Sequence, residues 1–344
     1  MRRAPVLLAV AAATLAACGG GGKKVAINTT STTAPPTSTS APALATGASP
    51  LTGLPGAKGR PALVVKIDNA PKARPQTGLN QADIVIEEKV EDGVTRFFTI
   101  FQSQDSDPVG PVRSARTTDV TLVTPLNHPL FAYSGTNATF QKLISAAPLI
   151  DVGYDANPGA YARQGNHPAP YNLYSATSKL FSKAPGGATA PPPLFPYRSD
   201  GQALTSTNAA PANHLHIEFV GVHVKTIVDY SWDPATGTWK RAQDGGPHVD
   251  TAGSQVAPKN VVVEFVDYVD TGQRDRSGTA VPEGKVIGSG DAWVLTDGKV
   301  VRGRWSKASA EAITAYTDAA GARVPLTPGQ TWLELPPPNS GSVT

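Results

Sequence analysis

The chain of 344 residues contains one cysteine, Cys18. Its fold can therefore use no intramolecular disulfide and no zinc site with two or more thiolate ligands, so stability must come from a core. Residues 1–18 read MRRAPVLLAVAAATLAAC, with Arg2 and Arg3 ahead of the apolar run Val6 to Ala17. That run is shorter than the roughly 20 residues that span a bilayer, and it reads as an export signal. It ends in Leu15-Ala16-Ala17-Cys18, a lipobox, in which the small residues suit a signal peptidase and the thiol takes a diacylglycerol. Lipidation of Cys18 is expected, and with it a lipid anchor on the extracytoplasmic face of a bacterial cell membrane.

Residues 19–50 are Gly-rich, then Thr/Ser/Pro-rich, and hold too little apolar surface to offset their ordering entropy. They are expected to be a flexible tether. No second apolar run approaches the length of a membrane span. The formal charge of +3 falls to +1 without Arg2 and Arg3, so no nucleic-acid partner is implied. The chain carries 33 glycines and 32 prolines, which favours many turns and argues against a helical bundle.

The body begins near Leu51. Ala62 to Asp68, Asp83 to Glu88 and Thr95 to Phe101 read as strands, and Glu91-Asp92-Gly93 as the turn of an antiparallel hairpin. A helix is expected from Ser114, with its hydroxyl as N-cap, to Thr124 before Pro125. Leu130 to Ser134 and Leu149 to Val152 read as strands, and Ala138 to Ala146 as a short helix. Residues 184–201 form a Pro/Gly-rich joint or a long surface loop. Beyond them strands dominate, at His214 to Phe219, Thr226 to Trp232, Thr238 to Arg241, Val261 to Val266 and Trp332 to Leu335. Trp293 to Thr296 and Lys299 to Arg302 flank Asp297-Gly298, a two-residue hairpin signal. The expected class is α+β: an N-terminal α/β-type layered domain over 51–200, a mainly β domain over 201–336, and a tail at 337–344.

No phosphate-binding glycine loop, nucleophile elbow or HExxH zinc motif occurs. Four weaker constellations remain. Arg113 and Arg116, either side of Ser114, straddle the expected helix start, and guanidinium forks suit phosphate or carboxylate; pairing with acids such as Asp119 or Glu87, which would hold the layers together, explains them somewhat better. Asp68 and Asn69 end a strand and are followed by Arg74 in a loop, a place where ligand groups gather but where an Asx turn also fits. Arg96 lies across the hairpin from Glu87 and Glu88, as an ion pair or as part of a cleft with Arg113 and Arg116. His214, His216 and Glu218 share one strand face, and solvated polarity explains them better than a metal site.

Lys66-Ile67-Asp68-Asn69, Ala73 to Leu79, Gln81 to Val85, Thr95 to Phe98 and Gly110 to Arg116 resemble segments of the YerB-like family of bacterial lipoproteins. Ala169-Pro170-Tyr171-Asn172-Leu173-Tyr174 matches a further block, with Tyr171 where the family often has His. Asn260 to Val263, Gly288-Ser289-Gly290, Gly303 to Lys307 and Pro328 to Trp332 look like its C-terminal domain. The resemblance covers roughly residues 50–336. It implies two adjacent domains of unknown function on a membrane-anchored lipoprotein, and it brings no catalytic residues.

The leading functional expectation is an extracytoplasmic binding module for an anionic envelope ligand or a protein partner. Its candidate site is Asp68, Asn69, Arg74, Arg96, Arg113, Ser114 and Arg116, with no cofactor and no metal. Two alternatives stand beside it: an envelope enzyme on phosphate-bearing or glycan substrates, with Asp68 or Glu87 as general base, and a structural adaptor whose arginines serve the interior.

Overall fold

Three near-continuous apolar strands form the centre: β1 (Leu63–Asp68), β2 (Ile84–Lys89) and β3 (Thr95–Phe101). All their residues but Lys89 are buried, as strands covered on both faces must be. The computed structural model describes Met1 and residues 41–199, 201–275 and 277–344; the export signal, Cys18 and residues 19–40 lie outside the described residues. β2 and β3 make the expected antiparallel hairpin around Glu91-Asp92-Gly93. Gly93 has φ +77°, and a Cβ there would lie 2.3 Å from the Val224 carbonyl oxygen, so a glycine is needed for this approach.

On one side of β1, β4 (Leu130–Ala132) and then β5 (Ile150–Asp151) continue the sheet in parallel. On the other side the C-terminal half joins it. The strand Thr331–Leu335 lies parallel to β2, and Asn260–Glu264 lies parallel to Thr331–Leu335. The hairpin Gly288–Thr296 with Lys299–Lys307 follows, and then Ala315–Thr317. With Ala209–Pro211 against Lys299–Lys307, eleven described strands share one sheet. Asp297 and Gly298 turn this hairpin at φ 54° and 66°, the type I′ geometry expected of that dipeptide.

The fold is thus α+β, with a mixed parallel and antiparallel N-terminal half and a mainly β C-terminal half. A second antiparallel sheet is built from His214–Val220, Lys225–Asp233, Thr238–Gln243, Gly246–Pro247 and Gly341–Val343. Its Leu215, Phe219, Tyr230 and Trp239 pack against Val65, Phe97 and Trp332 on one face of the large sheet. The opposite core gathers Val64, Ile86, Phe98, Val262 and Leu333 with Val123 of α1 (Thr117–Val123) and Ile144 of α2 (Ala138–Ala146). Asn137 caps α2, its Oδ1 accepting from Phe140 N–H at 2.8 Å.

Several expectations shift. The helix starts at Thr117 rather than Ser114, because residues 111–115 are extended: Arg113 N–H donates to the Lys66 carbonyl and Ala115 N–H to that of Gly135. Residues 337–344 are no free tail, since Gly341–Val343 pairs with His214–Val220. The ordered body begins before Leu51, for Ala48 and Ser49 are buried and Ala48 bridges Pro55. A helix α3 (Thr177–Phe181) and the hairpin Tyr268–Arg274 with Ala280–Gly284 carry no strong periodic signal and went unanticipated.

Candidate functional site

The period of two puts Lys66 and Asp68 of β1, Glu88 of β2 and Arg96 of β3 on the helix-covered face of the sheet. Asp68 and Glu88 are both direct cross-strand partners of Arg96. Over them runs the extended segment 111–116 and the start of α1. An inner group is fully buried: Lys66 Nζ donates to Glu88 Oε1 and, at 2.7 Å, to Asp119 Oδ1. The other oxygen of Asp119 accepts from Arg116 N–H at 2.7 Å and fixes the helix start. Burial, and then the Asp119 charge, push the Glu88 carboxyl up to about 7 against the pull of Lys66. Glu88 Oε2 has no hydrogen-bond partner.

The outer group holds three guanidiniums. Arg113 Nε donates to Asp68 Oδ2 at 2.6 Å and its guanidinium lies 5.5 Å from the Tyr171 ring centroid. Arg116 Nε donates to Glu91 Oε1, whose second oxygen is 3.5 Å from Arg96 Nη2. Arg96 Nη1 donates to the Ser114 carbonyl at 3.0 Å, while its Nε is buried without a partner. Burial, and then the neighbouring Arg116, lower Arg96 to about 10, which leaves it a cation at neutral pH. Burial works to raise the Glu91 carboxyl, but Arg96 and Arg116 together hold it below its ordinary range. Four cations (Lys66, Arg96, Arg113, Arg116) therefore face four acids (Asp68, Glu88, Glu91, Asp119). Arg113 is the most open of the cations, its side chain 25% exposed.

The structure divides the seven candidates. Asp68, Arg96, Arg113, Ser114 and Arg116 come together. Asn69 turns to the other face, where its Nδ2 donates to Thr95 Oγ1 at 2.7 Å and to Glu87 and Gln243 at 3.1 Å each. Arg74 pairs with Asp244 at 2.8 Å. Ser114 is no helix cap; its hydroxyl donates to the Ser134 carbonyl. Asp68 also makes the Asx turn, Oδ1 accepting from Ala70 N–H at 3.0 Å. Arg96 bridges to Glu91 and not to Glu87 or Glu88, since these strand-end carboxylates are claimed by Arg241 and Lys66. Glu87, considered as a base, is fully buried. His214 and His216 both approach Asp229, at 3.3 and 2.8 Å, and the described residues hold no cluster fit for a metal ion.

Sequence reasoning missed Lys66 and Glu91, and it offered Asp119 as an ion-pair partner of the arginines, whereas its carboxylate holds Lys66 and the Arg116 N–H. A lysine inside the apolar strand Leu-Val-Val-Lys-Ile-Asp was the available signal, because such a position demands a buried acid. It also missed a buried network on the opposite face. There Arg241 pairs with Glu87, Tyr230 OH donates to Glu334 Oε1 at 2.5 Å, and His248 joins Arg241 to Gln76. Burial, and then Glu87 on the neighbouring parallel strand, raise Glu334 well above the carboxylate range. Burial and then Arg241 drive His248 well down. Among the described residues a cavity of about 450 Å³, bordered by Phe265, Trp293 and Arg304, lies away from the arginine cluster.

Two family models match, described as the N-terminal and C-terminal domains of a protein of unknown function (DUF3048), over residues 51–189 and 217–333. The chain is 31% identical over 300 residues to a Bacillus subtilis protein named "Putative lipoprotein YerB", covering 84% of this chain and 86% of that one. It is also similar to the crystal structure of YerB protein from Bacillus subtilis, with TM-score 0.74 and 26% identity over 86% of this chain and 99% of that chain. Sequence and fold agree, and the chain belongs to the DUF3048 family, whose two parts here contribute strands to one sheet.

Proposed function

We propose that the protein is a cell-envelope lipoprotein, held extracytoplasmically by a diacylglycerol on Cys18, whose body binds an anionic ligand at the arginine cluster. The lipobox and the lipoprotein name of the Bacillus subtilis relative support the anchor. The observation that carries the binding reading is the cluster of Arg96, Arg113 and Arg116 around only two direct carboxylate partners, Asp68 and Glu91. Arg113 uses Nε on Asp68 and keeps a partly exposed guanidinium beside Tyr171. Glu88, pushed up to about 7, carries only part of a negative charge near neutral pH, which weakens the internal competition for the cations. A phosphate or carboxylate meets Arg113 through paired N–H groups, a geometry lysine cannot supply.

Thermal unfolding with inorganic pyrophosphate as the probe tests this reading. A ligand at a hundred times its dissociation constant stabilises the native state by about 2.7 kcal/mol, roughly 5 °C for a body of this size. Arg113→Ala, at a partly exposed position, is expected to fold and to lose that increment. If the probe leaves the wild type unchanged, or stabilises Arg113→Ala equally, the cluster is a structural charge network.

A further inference from the structure

On the same face of the sheet as the arginines, but among C-terminal strands, lies a mainly apolar cavity of about 50 Å³. Ile86, Phe195, Ile313 and Leu333 contribute to its wall. Four polar side chains also line it: Thr314, which bonds Tyr316, and three ionisable ones, Glu264 from Asn260–Glu264, Lys307 from the end of Lys299–Lys307, and Tyr316 from Ala315–Thr317. None of the three ionisable side chains is more than 6% exposed. Tyr316 OH donates to Glu264 Oε2 at 2.5 Å, and Lys307 Nζ donates to the Ala312 carbonyl rather than to a carboxylate. The arginine site uses none of these groups. An apolar hollow with a few convergent ionisable groups is the usual build of a small-molecule site.

Desolvation sets the protonation states. Burial lowers Lys307 to about 8, although Glu264 and Glu311 act to raise it. Burial raises Glu264 to about 7, although the Tyr316 hydrogen bond and Lys307 act to lower it. A proton therefore moves on or off either group near neutral pH, and the amine has a free lone pair in a useful fraction of molecules. A desolvated lysine of this kind is a carbonyl nucleophile.

We propose that Lys307, Glu264 and Tyr316 form a second site, which takes a small aldehyde or ketone with a short apolar body and holds it as an imine on Lys307. The Nζ lone pair attacks the carbonyl carbon and forms the C–N bond, while the carbonyl oxygen takes a proton from the Tyr316–Glu264 pair. The nitrogen then gives up a proton to Glu264, the hydroxyl leaves as water with a proton from that pair, and the protonated imine returns its N–H proton to Glu264, which restores the pair. Amine and carbonyl give imine and water, with no change of oxidation state. A volume of about 50 Å³ has room for about three or four water-sized groups, which limits the body to a few carbon atoms.

The test uses the folded wild-type protein, propionaldehyde and sodium cyanoborohydride at pH 7, with alkylated lysines mapped by peptide mass spectrometry. Lys225, Lys240 and Lys285, with side chains nearly half exposed, serve as internal references. An amine titrating at about 8 holds on the order of a hundredfold more free base at pH 7 than an ordinary lysine, so Lys307 is expected to react far faster. Pyrenecarboxaldehyde, too large for the cavity, is expected to modify the references and spare Lys307. Tyr316→Phe is expected to slow Lys307 at least tenfold and leave the references unchanged. An unmodified Lys307, or one reacting no faster than the references, overturns the proposal; so does a rate indifferent to aldehyde size or to Tyr316→Phe.

Discussion

Glu88→Gln keeps the shape of the side chain and an acceptor for Lys66 Nζ, and removes one of the two negative charges that face this lysine. Its effect follows from proton linkage. The Glu88 carboxyl titrates at about 7 in the folded protein and at 4.5 as an ordinary glutamate. As pH rises through 4.5 the unfolded chain releases this proton, while the folded chain retains it until about 7. The wild type therefore loses stability across that window, by 7 − 4.5 = 2.5 pH units at about 1.4 kcal/mol each, or about 3 kcal/mol. Glutamine has no such term, and Lys66 keeps Asp119 as its counter-ion. The variant should match the wild type near pH 4.5 and exceed it by about 3 kcal/mol at pH 8, roughly 6 °C in melting temperature for a body of this size. Urea unfolding of both proteins at the two pH values reads this difference. A variant less stable than the wild type at pH 8, or a difference that does not change with pH, would refute the reasoning. Glu88 would then be an ionised partner that Lys66 requires.

Arg241→Met leaves Glu87 and Glu334 buried side by side without their cation, and should cost about 3–5 kcal/mol in urea unfolding at pH 7. A loss smaller at pH 5 than at pH 7 would mark the orphaned charge as its cause; an equal loss at both pH values would point to packing instead. Cys18→Ser should release the protein from the membrane fraction and leave an unprocessed precursor, and unchanged retention and size would refute lipidation.

Where a segment's own pattern decides its structure, the sequence was legible. β1 to β3 and α2 fall within a residue or two of their expected bounds, because apolar runs and turn residues carry local information. The Asp297-Gly298 hairpin was readable for the same reason, since few dipeptides suit two positive φ angles. The start of α1 was misread because Ser114 is a good cap in isolation, while backbone bonds from 113 and 115 to distant segments hold it extended. Of the seven candidate residues, Asp68, Arg96, Arg113, Ser114 and Arg116 lie near one another in the fold. Asn69 does not join them, since adjacent positions along the chain here face opposite ways and the sheet's cover on each face is set by remote segments.

The sequence by itself determined the α+β class, the core strands and the presence of many arginines near one sheet end. The tertiary structure alone decided which charges meet. Lys66 pairs with Glu88 across 22 positions and Glu87 with Arg241 across 154, and no local spacing records such pairs. It likewise decided that Thr331–Leu335 lies beside β2, uniting the two halves in one sheet. Strand pairing is specified by long-range burial of both faces, a property of the assembled layers and not of any single segment.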